Sequence, residues 1–76
     1  MRQNSRNEIR DCICDILWSL GPLTKKDIWK ELVIHGFHGL TVEQVGYYLE
    51  TDIGQYPISD FVGVFRGHPD HYYLHI

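Results

Sequence analysis

The apolar residues of this chain change their spacing once along its length, and that change limits the folds open to it. Over the first fifty residues they recur at three- and four-residue steps, the period of an amphipathic helix. From Phe61 onward they follow the two-residue alternation of a half-buried strand. Between Asn7 and Leu20, the residues Ile9, Ile13, Ile16, Leu17 and Leu20 fall on one helical stripe, which Gly21-Pro22 ends. Thr24 before Lys25-Lys26-Asp27 has the chemistry of a helix cap, so a second helix is predicted over Lys25 to about Ile34. Ile28 and Leu32 mark its buried stripe, with Trp29 and Val33 as an i,i+4 pair at the margin. After a turn at His35-Gly36-Phe37-His38-Gly39, Thr41 followed by Gln44 repeats the capping-box pattern and opens a third helix, 41–51. At ~100° per residue, Val42, Val45 and Leu49 share its inner side, while Glu43, Gln44, Tyr47 and Thr51 project outward. Gly46 in this helix costs ~1 kcal/mol relative to Ala and predicts a close approach on the core side.

The runs Phe61–Arg66 and His71–Ile76, separated by Gly67-His68-Pro69-Asp70, read as a β-hairpin with Tyr72, Leu74 and Ile76 alternating against Tyr73 and His75. An isolated hairpin is marginally stable, so its apolar side must pack on the helices. With 76 residues the chain has enough material for one core and not for two. The expected organisation is α+β: a flexible arm at 1–6 and a single domain at 7–76, with a loop over Asp52–Asp60. A composition of 43% hydrophobic and 22% charged residues is that of an ordinary folded domain.

Charge is distributed unevenly. Residues 1–30 set Arg2, Arg6, Arg10, Lys25, Lys26 and Lys30 against Glu8, Asp11, Asp15 and Asp27, a balance of +2. From residue 31, Arg66 alone opposes Glu31, Glu43, Glu50, Asp52, Asp60 and Asp70, a balance of −5. Cys12 and Cys14 lie two apart in the first helix, pointing to different faces, and are expected to be reduced thiols. No apolar run reaches the ~18 residues of a membrane span and the N-terminus lacks a signal-peptide core, so a cytoplasmic location without membrane attachment is expected.

Three stretches, "GPLTKKDIWKEL", "LTVEQVGYYLE" and "FVGVFRGHPDHYYLHI", together resemble the winged-helix superfamily of small bacterial and phage transcription regulators. The resemblance implies a three-helix bundle containing a helix-turn-helix, followed by a C-terminal β-hairpin wing, with Leu40 in a short strand ahead of the third helix. It also implies duplex DNA as partner. The recognition helix 41–51 would turn Gln44, Tyr47 and Thr51 to base edges, with Thr41 and Glu43 near the entrance. Gln suits adenine and Glu suits cytosine N4. Lys25 and Lys26 would meet phosphates, as would Arg66 and His68 on the wing 61–76, with Arg2 and Arg6 as an arm.

The acidic second half argues the other way, because phosphate neutralisation dominates affinity for DNA. Two routes around this conflict are open. A homodimer would double the phosphate contacts, using Cys14, Trp18, Trp29 and Val33 as an apolar partner surface, unless those tryptophans simply cover the core edges. Alternatively, the fold is an interaction module whose acidic surface binds a basic protein partner. The five histidines invite a metal, but no paired Cys/His spacing of the zinc type occurs, and surface histidines that gain charge below pH ~6.5 are the expected reading. Neither a phosphate loop, a nucleophile elbow nor an H-E-x-x-H pattern is present, so no enzyme activity and no cofactor are expected.

Overall fold

The computed structural model describes residues 6–50 and 61–75. Three helices and a three-stranded antiparallel sheet make up an α+β fold: α1 (Arg6–Leu20), β1 (Leu23–Thr24), α2 (Lys25–Ile34), α3 (Val42–Glu50), β2 (Val62–Phe65) and β3 (His71–Leu74). The 1–5 part of the arm, the 52–60 loop, Thr51 and Ile76 lie outside the described residues.

Local chemistry accounts for the helix ends. Gly21 adopts φ +81° and donates its N–H to the Leu17 carbonyl at 2.9 Å, which closes α1. Thr24 caps α2, its hydroxyl accepting the Asp27 N–H at 3.2 Å. At the other end of α2, Gly36 with φ +99° donates to Val33 O, and Phe37 N–H reaches back to Leu32 O. That pair of bonds is a Schellman stop, and it turns the half-buried Phe37 onto the core.

The core takes residues from every helix and from both hairpin strands. Ile9, Ile13, Ile16 and Leu17 of α1, Ile28 and Leu32 of α2, and Val45 and Leu49 of α3 pack with Val62 and Tyr72 of the hairpin. Helix α1 packs on α2 and β3, and α2 on α3. Each predicted stripe is therefore the buried one, with two exceptions: Val42 at the start of α3 is half-buried and stands apart from the core, and Leu20 falls at the end of α1. Leu20 is 55% exposed, because α1 ends there and its last turn runs past the packed surface.

Strand β3 is central, in the order β1-β3-β2. Its register with β2 places Val62 opposite Leu74 and Val64 opposite Tyr72, so these four share the inner face. On the outer face Gly63 lies opposite Tyr73, whose ring fills the space a Cβ would need: that Cβ would stand 2.5 Å from Tyr73 Cζ. His75 meets the same ring edge-on, with centroids 5.4 Å apart.

The third strand is not where the resemblance implied. Leu23 and Thr24 pair with Tyr72 and His71, whereas Leu40 lies in irregular backbone. Thr24 already has extended dihedrals as the cap of α2, so the two residues leaving Pro22 are aligned to join β3. The Leu40 carbonyl is taken by the Trp29 indole N–H at 2.7 Å. Phe61, expected to begin a strand, forms a turn beneath the Arg10 guanidinium, 5.3 Å from its ring centroid.

Folded domains carry ~0.05–0.15 kcal/mol of stability per residue, which for this chain is about 4–11 kcal/mol. Leu32 has no exposed surface, and Leu32→Ala is expected to cost about 2–5 kcal/mol. Urea titration followed by circular dichroism checks this: the unfolding midpoint should fall sharply, and an unmoved midpoint would contradict the packing described.

Candidate functional site

The sequence-identified polar residues fall into two groups in three dimensions. One group surrounds an open cleft of about 520 Å³ between the start of α2, the second half of α3 and the hairpin turn. Lys25 and Lys26 form one wall, Glu50 the helical wall, and Arg66 with Asp70 the hairpin wall, with Tyr72 also lining the space. The sheet register produces this arrangement, because Thr24 opposite His71 brings the first turn of α2 beside the hairpin turn.

Gly46 belongs to this cleft. A Cβ there would stand 2.7 Å from Lys25 Cδ, so the helix surface is left bare where the lysine stem crosses it. The close approach anticipated on the core side is in fact made by Lys25, because the buried side of α3 is filled by Val45 and Leu49.

Arg66 is held by two carboxylates. Its Nη1 donates to Glu50 Oε1 at 3.0 Å and to Asp70 Oδ2 at 2.8 Å. Glu50 lies at the C-terminal end of α3, where the helix dipole is already negative and no basic residue occupies the last turn. The hairpin arginine supplies the missing cation. Asp70 also accepts the Gly67 N–H at 2.8 Å, and this bond, followed by the Arg66 bond, holds its carboxyl below the usual range. Tyr72 completes the network from below by donating its hydroxyl to Glu50 Oε1 at 3.1 Å. Burial of the ring, then the hydrogen bond to Glu50 and that carboxylate's charge, push the phenol up to about 12.

The second group lies on the exposed side of α3. Thr41 precedes the helix as its cap, and the capping box closes in both directions: Gln44 N–H donates to Thr41 Oγ1 at 3.1 Å, and Thr41 N–H to Gln44 Oε1 at 2.9 Å. Bidentate recognition of adenine by Gln44 would need that same Oε1, so readout must share the oxygen or open the cap. Glu43 is exposed one residue before it. Tyr47 is 43% exposed and stacks on Tyr48 with centroids 6.0 Å apart. His68 is exposed in the hairpin turn.

The apolar residues singled out from the sequence differ in exposure. Trp18 is 69% exposed and lies with Pro22, Tyr73 and Leu74 around a shallow depression at the end of α1. Cys14, Trp29 and Val33 are half-buried, the first two packed against the core. Burial raises both cysteine thiols, with further upward pushes from Asp15 on Cys12 and from Asp11 on Cys14, so neither is activated as a nucleophile. Among the described residues no group of three His, Cys, Asp or Glu is placed to hold a metal ion. No helix among them is long and apolar enough to cross a membrane.

Glu50, Asp70 and Tyr72 were not singled out from the sequence as site residues. Glu50 and Arg66 are sixteen positions apart, and no local pattern links a helix end to a hairpin turn across that distance. Comparison with protein-family models, curated proteins and solved structures returns no match.

Two outcomes follow from this geometry. Thr41→Ala removes one half of the capping box and is expected to cost about 0.5–2 kcal/mol, read as a lower urea midpoint. Because folded Tyr72 keeps its proton to about 12 while the unfolded chain releases it near 10, its contribution is complete below pH 10 and is lost as pH rises toward 12. Melting curves across that interval should therefore fall more steeply for the native chain than for Tyr72→Phe, and parallel curves would show that the phenol is not held.

Proposed function

We propose that this chain is a small winged-helix DNA-binding regulator, with α2 and α3 as its helix-turn-helix, α3 as recognition helix and the β2–β3 hairpin as wing. The observation that carries the reading is the convergence of Lys25, Lys26 and Arg66 around one cleft beside the exposed side of α3. These residues come from two separate parts of the chain. Their meeting supplies what a duplex requires of such a domain: cations that can reach phosphates next to a helix whose outward residues Glu43 and Tyr47 are exposed. Regulation would come from occupying a site on DNA, with no chemical step. Binding as two copies would double a phosphate contact set that is small in one.

A second reading has its own support. Arg66 is the only Lys or Arg after residue 31, and two carboxylates neutralise it. The face formed by Glu43, Glu50 and Asp70 would then suit a basic protein partner.

Fluorescence anisotropy with a labelled random-sequence duplex separates the two. Binding at ~50 mM salt that weakens steeply toward ~200 mM is expected, and Lys25→Ala with Lys26→Ala should flatten the salt slope by about two. No binding at ~50 mM salt would reject DNA as the partner and leave the protein-partner reading.

A further inference from the structure

The DNA reading meets an obstacle in the cleft itself. Arg66 carries one positive charge between two negative ones, so the group it forms with Glu50 and Asp70 has a net charge of −1 and repels a phosphate. Among the described residues, both bonds that hold the arginine run from Nη1, and its side chain is 65% exposed. Exposed ion pairs of this kind are weak, because solvent screens them. They are strong enough to set the resting position of the guanidinium and weak enough to be exchanged.

We infer that the Glu50–Arg66–Asp70 group is an autoinhibitory latch, in which the recognition helix and the wing together withhold the wing's one arginine from DNA until a phosphate displaces Glu50. The inference rests on the DNA-binding reading given above. Its parts are suited to reversal. When Arg66 leaves, Glu50 keeps the Tyr72 hydroxyl and Asp70 keeps the Gly67 N–H, so both carboxylates remain hydrogen-bonded and the hairpin turn keeps its shape. The change is confined to one side chain. Because the carboxylates belong to α3 and to the hairpin, the latch also fixes the wing against the recognition helix in the unbound protein.

Substitution of Glu50 tests this directly. Gln retains an oxygen for the Tyr72 hydroxyl and loses only the charge. In duplex titrations at ~50 mM salt, Glu50→Gln is expected to bind up to about fivefold more tightly than the native chain, with a salt slope steeper by about one. Removing a negative charge aids any DNA binder, so the same substitution is made in Arg66→Ala. The latch requires the gain to be larger when Arg66 is present. Equal gains in the two backgrounds would overturn the latch and leave the DNA reading standing. Failure of every variant to bind, Glu50→Gln included, would overturn both. Should Glu50→Gln fail to fold, as judged by circular dichroism, Asp70→Asn gives the same cycle from the wing side, since Asn still accepts the Gly67 N–H.

Discussion

Tyr72 is the point at which the apolar core and the charged cleft of this protein meet. Its ring lies in the core with 4% of its surface exposed, and its hydroxyl emerges to hold Glu50 at the end of α3. Glu50 in turn holds Arg66. The position of a guanidinium on the hairpin therefore depends on how an aromatic ring packs between helices. In a chain of this size there is little other material to set that distance, and the central strand does it because it pairs with a neighbour on each side.

The same strand decides which ends of the helices approach one another. Two residues of extended chain after Pro22 suffice to dock the entry of α2 on β3, and the register of that docking sets Lys25 and Lys26 opposite the hairpin turn. Side chains on α3 then divide by depth. Val45 and Leu49 anchor the helix, Gly46 admits the stem of Lys25, and Tyr47 stays at the surface. An acidic second half is compatible with a cationic cleft wall only because that wall is imported from the first half of the chain.

Charge in the cleft is arranged in opposed pairs more than in a single-sign field. A field of one sign would steer a polyanion from a distance, whereas opposed pairs act only at short range and within about one Debye length. Such a surface favours selectivity over raw affinity. Under the proposed function, the balance between DNA and a basic protein would depend on very few side chains, Arg66 and Glu50 foremost.

Periodicity alone was enough to place all three helices, because residues spaced like Ile9, Ile13, Ile16 and Leu17 share one side only if the segment is helical. The hairpin was legible for the same reason, and the caps at Thr24 and Thr41 were legible because their partners lie three residues away. What only the tertiary structure decided were pairings across long separations: Leu23-Thr24 in place of Leu40 on the sheet, Lys25 across Gly46, and Arg66 between Glu50 and Asp70. Local pattern records which side of a segment faces inward. It holds no record of which segment waits there, since that is settled by chain reversal and strand register acting on the whole fold.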